Sequence, residues 1–173
     1  MNADIDQLAT LVAAQLTAAA GAGSFSQNFT CEYNDTPIFE ASDLVDLKVT
    51  MMPGTILIAP TRVRPGQQRA HRFRGINEYQ YVLSLQFAKA GPQKPATPPD
   101  PITSFSAGLR LLVQEVIHWF NKDDNRRPQL DPAGTSLWLK TIEVLDLYNM
   151  NRLKHERVFQ STHILTYEEF VRE

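Results

Sequence analysis

The sequence predicts an α+β domain: a mixed, mostly antiparallel sheet of four to five strands with two helices packed on it and a projecting arginine-rich β-loop. Three observations lead to this prediction. Apolar residues alternate like strands both before and after one central helical segment, a second amphipathic helix opens the chain, and no internal repeat is present. Because a single helix separates the early strands from the late ones, a doubly wound parallel sheet is disfavoured.

The N-terminal segment has the periodicity of a helix. Over residues 5–19, apolar side chains recur at spacings of three and four, which places them on one helical face. Asn2 or Asp4 can cap the start of this helix, because both side chains accept hydrogen bonds from free backbone N–H groups. We expect Gly21 or Gly23 to end it.

Several short segments before the central helix alternate like strands. Residues 29–33 predict a short strand, and residues 47–51 predict a half-buried one that the Pro53–Gly54 pair ends. Residues 56–58 predict a further short strand. The clearest strand covers residues 79–87, where five apolar side chains point to one face and mostly polar ones point to the other.

A proline-rich connection follows the clearest strand. Residues 89–101 contain five prolines, a density that neither a helix nor a strand tolerates. We therefore expect a stiff, extended surface connection over residues 89–103. It is too short to separate two independent domains, so the prediction is a single domain over residues 1–173.

The last third of the chain predicts one helix and two strands. The helix covers Ser104–Phe120, with Thr103 or Ser104 as its N-cap and an apolar stripe on one face. Two alternating segments, Leu137–Leu147 and Arg157–Tyr167, read as strands that close the sheet.

Composition limits the class of protein. The chain has 173 residues, 43% hydrophobic and 21% charged, with a net charge of −2, which excludes a disordered chain and a strongly basic nucleic-acid coat protein. No apolar run approaches the ~20 residues that a membrane helix needs. The single cysteine, Cys31, cannot form an internal disulfide, which favours a reducing compartment. We expect a soluble protein, or one assembled into a particle inside a cell.

Charge is distributed unevenly over the first 77 residues. Residues 1–46 contain no Lys or Arg and carry seven carboxylates: Asp4, Asp6, Glu32, Asp35, Glu40, Asp43 and Asp46. Residues 47–77 contain no carboxylate and carry Lys48 and five arginines: Arg62, Arg64, Arg69, Arg72 and Arg74. The five arginines, called here the arginine segment, lie in a polar stretch broken by proline and glycine.

The arginine segment allows three interpretations: a solvated hairpin tip, a phosphate-backbone site, or a contact with an acidic protein surface. Surface charges usually mix signs, and arginine is enriched at interfaces, which disfavours the first. His71 and Phe73 supply too few rings for a base-stacking platform. We therefore predict a subunit or partner interface. Its basic half is the arginine segment, and its acidic half is Asp35, Glu40, Asp43 and Asp46.

No catalytic motif competes with this interface. The chain has no glycine-rich phosphate loop and no nucleophile elbow, and its four histidines have no helical metal-site spacing. Cys31 is expected to be a buried or incidental thiol, and the carboxylate pairs Asp123–Asp124 and Glu168–Glu169 are expected to be solvated. The sequence therefore predicts no enzyme, no cofactor and no metal site.

The segment Asp43–Phe87 resembles a pattern in small morphogenesis proteins of tailed phages. There, a strand of the form LKV…P leads through an arginine-rich loop to a strand like YQYVLSLQF and then to a helix like Phe105–Phe120. The closing strand VFQSTHILTYEEF is similar to the end of the same proteins. The order of elements resembles tail terminator (tail completion) proteins and the neck proteins related to them.

This resemblance implies a structural role in the virion. Proteins of that family form a six-membered ring that caps the finished tail tube, stops its polymerisation and provides the face for the head connector. The implied partners are further copies of this chain, the tail tube protein, the head–tail connector or neck proteins and, in the channel, DNA; no membrane is involved. The implied place is the tail or neck of a virion assembled in the host cytoplasm. A head-side stopper or adaptor and a nucleic-acid-binding module remain alternatives.

Overall fold

The computed structural model of the chain describes residues 4–35, 41–60, 76–128 and 137–172. Within them the chain forms two long helices and five strands, in the α+β arrangement that the sequence predicts. In chain order the elements are α1 (Ile5–Gly21), β1 (Cys31–Tyr33), β2 (Lys48–Pro60), β3 (Ile76–Ala90), α2 (Ile102–Phe120), β4 (Trp138–Asp146) and β5 (Val158–Arg172).

All five strands belong to one mixed sheet with the order β1-β2-β3-β5-β4. β1 runs parallel to β2, and every other neighbouring pair is antiparallel. The longest pairing joins β3 and β5, from Ile76 opposite Arg172 to Ala90 opposite Val158. These two long central strands therefore determine the length of the sheet, and the predicted mostly antiparallel topology is confirmed.

Both helices pack on the same side of the sheet, called here the helix-covered face. Phe25, just after α1, packs edge-on against Trp119 of α2, with ring centroids 6.0 Å apart. The backbone N–H of Ser26 donates to Oε2 of Glu115 at 2.8 Å, which also ties the two helical regions together. The predicted apolar face of β3 is buried in this core: Tyr79, Tyr81, Leu83, Leu85 and Phe87. None of the helices described is both long and apolar enough to span a membrane.

The opposite side, the helix-free face, is covered only at one end. A short 3₁₀ turn, Ala41–Leu44, folds over it there, and Leu44 packs with Ala88 and Val158 in a small second cluster. Those two strand residues alternate with neighbours that point into the main core, so they belong to the side without helices. The rest of that face carries mostly polar and half-buried side chains.

The prediction that Pro53–Gly54 ends a strand is wrong. β2 continues through both residues to Pro60, and its register against β3 shifts between Pro53 and Ile56. A bulge of this kind absorbs one extra residue without ending the ladder. A Cβ at Gly54 would lie 2.5 Å from the carbonyl oxygen of Val82, so the close approach of β2 and β3 needs glycine there.

The ends of α1 agree with the sequence, whereas α2 begins earlier than predicted. Asp4 caps α1 by accepting a hydrogen bond from the N–H of Asp6 at 3.0 Å. α2 begins at Ile102 with Pro101 at the N-cap, so the prediction of Thr103 or Ser104 as the cap is wrong. Oδ1 of Asp100, one residue before the cap, accepts a hydrogen bond from the N–H of Ile102 at 3.0 Å. The proline-rich connection is free of helix and strand only over residues 91–101, which is shorter than the predicted 89–103, because β3 continues to Ala90 and α2 begins at Ile102.

Candidate partner interface

The predicted interface residues divide between described and undescribed parts of the chain. The five arginines lie in residues 61–75 and Glu40 lies in residues 36–40, both outside the described residues. Asp35, Asp43 and Asp46 are described, and all three are exposed. The structure thus describes three of the four predicted acidic residues and the two strands that flank the arginine segment in the chain.

Two parts of the chain carry the described acidic residues of the predicted interface: the segment just after β1 and the connection from β1 to β2. Asp35 follows the edge strand β1, and Asp43 and Asp46 lie in the connection from β1 to β2. Near the start of α1, the Tyr33 hydroxyl donates to Oδ1 of Asp6 at 3.0 Å. This hydrogen bond, with the nearby carboxylates, raises the pKa of Tyr33, as expected where negative charge is concentrated.

The six described carboxylates of residues 4–46 lie on or next to α1 and β1 and in the connection from β1 to β2, and this group of residues is called here the acidic side. They are Asp4, Asp6, Glu32, Asp35, Asp43 and Asp46, and all of them are exposed. Because no Lys or Arg occurs in residues 1–46, no cation of that stretch offsets them.

The strands next to the arginine segment expose apolar side chains. Among the described residues, β1 pairs only with Val49–Met51, so the rest of β2 has no strand on its outer edge. In that part of β2, Ile56 is 42% exposed and Leu57 is 52% exposed. An unpaired strand edge with apolar side chains is a surface that readily meets another protein chain.

A charged network lies on the helix-free face close to the same strand ends. Lys140 of β4 donates to Oε1 of Glu168 at 2.6 Å and to Oε1 of Glu78 at 3.1 Å. The Trp138 indole N–H also donates to Glu168, at 3.4 Å. The hydrogen bond with Glu168, together with those from Gln80 and Lys140, lowers the pKa of Glu78 to about 2. These contacts join β3, β4 and β5.

The expectation that Glu168 and Glu169 are solvated is wrong. Their exposure is only 6% and 4%, and they point to opposite faces of β5. Glu169 lies on the helix-covered face, where its Oε2 accepts a hydrogen bond from the Tyr81 hydroxyl at 2.8 Å. The sequence contained a signal for this, because Glu169 continues the alternation of Leu165 and Tyr167.

Three side chains capable of nucleophilic or acid–base chemistry are buried in the core: Cys31, Ser161 and His163. Burial, with a smaller effect of Glu32, raises the pKa of the Cys31 thiol to about 12, as expected for a buried thiol. Ser161 Oγ and His163 Nε2 lie 2.8 Å apart, and burial lowers the pKa of His163 to about 4. Within the described residues no three His, Cys, Asp or Glu side chains are grouped as a metal site.

Comparison with known proteins adds no relative: no protein-family model and no curated protein matches the chain.

Proposed function

We propose that this protein is a structural assembly protein of a tailed phage. In this proposal copies of the chain form a closed ring at the head-proximal end of the tail, where the ring terminates the tail tube and joins it to the neck. The chain acts by shape and charge and breaks no covalent bond. The resemblance of Asp43–Phe87 and of the closing strand to tail terminator proteins supports a ring at the end of a phage tail as the assembly in question.

The observation that carries the proposal is the separation of charge within one chain. The exposed carboxylates of the acidic side lie on or next to α1 and β1 and in the connection that precedes β2, whereas the arginine segment follows β2 in the chain and leads to β3. A head-to-tail contact between copies needs complementary surfaces at two different places on the same subunit, and such a contact gives a ring when its rotation closes.

Two features favour a protein partner over a nucleic acid. Ile56 and Leu57 are exposed on β2 just before the arginine segment, and a combination of apolar side chains with arginine is typical of protein interfaces. The acidic side would repel a phosphate backbone that approached the same subunit closely. Each contact of this kind is weak, and closure of a ring makes the contacts act together.

Charge reversal of each half tests the proposal. One variant carries Arg69→Glu, Arg72→Glu and Arg74→Glu, and a second carries Asp35→Lys, Asp43→Lys and Asp46→Lys. Each variant alone should remain a folded monomer by circular dichroism and light scattering, whereas the wild-type chain assembles. Mixed in equal amounts, the two variants should assemble again, because each reversed surface then meets its opposite in the other variant, and a six-membered ring can alternate the two.

The matched control is Asp123→Lys with Asp124→Lys, which reverses two exposed carboxylates away from the acidic side and should leave assembly unchanged. Normal assembly of either reversed variant alone, or no assembly of their mixture, would contradict the proposal. Labelled duplex DNA provides the competing outcome. Micromolar binding that weakens steeply with salt and is lost on arginine reversal would instead support the nucleic-acid-binding module.

A further inference from the structure

A cavity of about 410 Å³ opens at the start of α2, away from the proposed interface. Three segments of the chain enclose it: the proline-rich connection, the first turns of α2, and the connection from β4 to β5. Its volume lies in the range of small-ligand sites, which is ~300–1,000 Å³. None of the carboxylates of the acidic side lines it.

The lining of this cavity has a strong excess of positive charge. Four cationic side chains and one carboxylate face it: Lys94, Arg110, Lys154, Arg157 and Asp100. Asp100 forms a bidentate ion pair with Arg157, at 2.7 and 2.9 Å. The other three cations form no ion pair within the described residues, although the chain as a whole has a net charge of −2.

The Asp100–Arg157 pair fixes the wall of the cavity. The hydrogen bonds from Arg157 lower the pKa of Asp100 to about 2, so the carboxylate stays ionised at neutral pH and is committed to Arg157. Arg157 Nε also donates to the carbonyl oxygen of Pro92, and the Arg157 carbonyl accepts from the N–H of Gly91 at 2.6 Å. The proline-rich connection is thereby held against the start of β5, and the cavity is formed before any ligand arrives.

Arg110 is held in place but is not fully hydrogen-bonded. Its guanidinium carbon lies 5.3 Å from the centroid of the Tyr148 ring, and Tyr148 in turn stacks on Phe159. Its Nε is buried and has no hydrogen-bond partner among the described residues. A buried donor without a partner is costly, so a shift of the side chain that brings this N–H to an acceptor oxygen would be favourable.

Two further features of the lining suit an oxyanion that carries an organic group. The cavity lies at the N-terminal end of the long helix α2, where the helix dipole favours negative charge, and Thr103 contributes a hydroxyl group. The Ser106 hydroxyl already donates to the carbonyl oxygen of Thr103 at 3.0 Å. Met150 and Leu153 form an apolar part of the wall. Planar guanidinium groups match the geometry of phosphate oxygens better than lysine alone does.

We propose that this cavity binds a phosphate group, carried by a small phosphate ester or present as free phosphate. In this site Arg110 donates from its guanidinium group to the phosphate oxygens, and Lys94 and Lys154 neutralise the remaining negative charge. The site does not depend on ring assembly, because its residues differ from those of the proposed interface.

Isothermal titration calorimetry of the full chain at constant low ionic strength tests this site. The probes are inorganic phosphate, AMP and adenosine. We expect the two phosphate-bearing probes to bind and adenosine to give no heat. Tighter binding of AMP than of inorganic phosphate would identify the ester as the ligand, and equal binding would identify the free oxyanion. Absence of binding by both at millimolar concentration, or binding of adenosine as tight as that of AMP, would overturn the proposal.

Variants connect the binding to the named side chains. Arg110→Met should weaken phosphate binding about tenfold or more, because charge-assisted hydrogen bonds are lost, and Arg110→Lys should weaken it less. Lys154→Met changes an exposed side chain and should weaken binding several-fold without affecting the fold. The control, Lys122→Met, removes an exposed lysine beyond the other end of α2 and should leave affinity unchanged. Full affinity in both Arg110→Met and Lys154→Met would exclude this cavity as the site.

Discussion

The two faces of the sheet differ in the burial and the charge of their side chains, although the same strands contribute to both. On the helix-covered face, β3 and β5 present large apolar side chains that α1 and α2 bury completely, such as Leu83, Leu165 and Tyr167. On the helix-free face, the neighbouring positions carry half-buried residues and the ion pairs of Lys140. Successive residues of one strand therefore experience an apolar interior and a partly hydrated surface in turn.

The two adjacent glutamates of β5 show what this difference means physically. Glu169, on the helix-covered face, has the Tyr81 hydroxyl as a neutral donor, whereas Glu168, on the helix-free face, has the cationic Lys140. The helix-covered face thus specifies the fold through burial, and the helix-free face is stabilised by charge that solvent partly screens. Substitutions on the first face should change the free energy of unfolding more than equivalent ones on the second.

The largest expected effect on the free energy of unfolding is that of Leu83→Ala, compared with the same truncation at the adjacent residue of β3, Val82. Leu83→Ala removes a fully buried side chain and should lower the free energy of unfolding by about 2–5 kcal/mol, because it leaves a cavity in the core. Val82→Ala changes a half-buried residue on the helix-free face and should cost only about 1 kcal/mol. Urea unfolding of both variants measures the contrast. Equal losses would show that the two faces are packed alike.

The same contrast explains what the sequence could predict. The alternation from Tyr79 to Phe87 identified the buried face of β3 correctly, because burial imposes a period of two on one side of a strand. The Pro53–Gly54 pair misled the prediction for β2, because both residues usually end strands. Here they occupy a bulge that only contact with Val82 makes visible.

The phosphate cavity was beyond prediction for a different reason. Lys94, Arg110 and Lys154, which form no ion pair within the described residues, come from three separate segments, and no spacing in the sequence links them. The arginine segment, by contrast, is continuous in sequence. A cluster of charged residues that are neighbours in the sequence can be predicted from the sequence. A cluster that the fold assembles from separate segments can be recognised only in the structure.

A smaller effect concerns the pH dependence of the helix-covered face. Burial lowers the pKa of His163 from 6.5 to about 4, so the unfolded chain binds this proton more readily than the folded one does. The stability that neutral His163 provides is complete above about pH 6.5 and is lost as the pH falls towards 4. We expect the free energy of unfolding to fall by about 2 kcal/mol between about pH 7 and pH 5.

His163→Gln provides the control, because its amide does not titrate and can still hydrogen-bond Ser161. Its free energy of unfolding should change less over the same range than that of the wild-type chain. Glu78 and Asp100, whose pKa values are lowered to about 2, lose their stabilising ionisation only at lower pH, so they do not interfere. A wild-type profile as flat as that of the variant would contradict the assignment to His163.

The smallest expected effect belongs to the helix-free face. Lys140 is 41% exposed on its side chain, and its contacts with Glu168 and Glu78 raise its pKa. Lys140→Met should lower the free energy of unfolding by about 1 kcal/mol, because the ammonium group is partly in water, the Trp138 indole N–H still donates to Glu168, and the Met side chain keeps the apolar contacts of the stem.

The dependence of stability on salt concentration distinguishes the Lys140–Glu168 ion pair from the hydrogen bond between the Tyr81 hydroxyl and Glu169 on the helix-covered face. Raising the ionic strength should reduce the difference between the wild-type chain and Lys140→Met, because mobile ions screen exposed charges. Tyr81→Phe, which leaves the buried carboxylate of Glu169 without this donor, should cost about 1–3 kcal/mol, with little dependence on salt. If the loss in Lys140→Met were as large and as insensitive to salt as that in Tyr81→Phe, the helix-free face would have to be regarded as buried too, and a partner surface there would need to be sought.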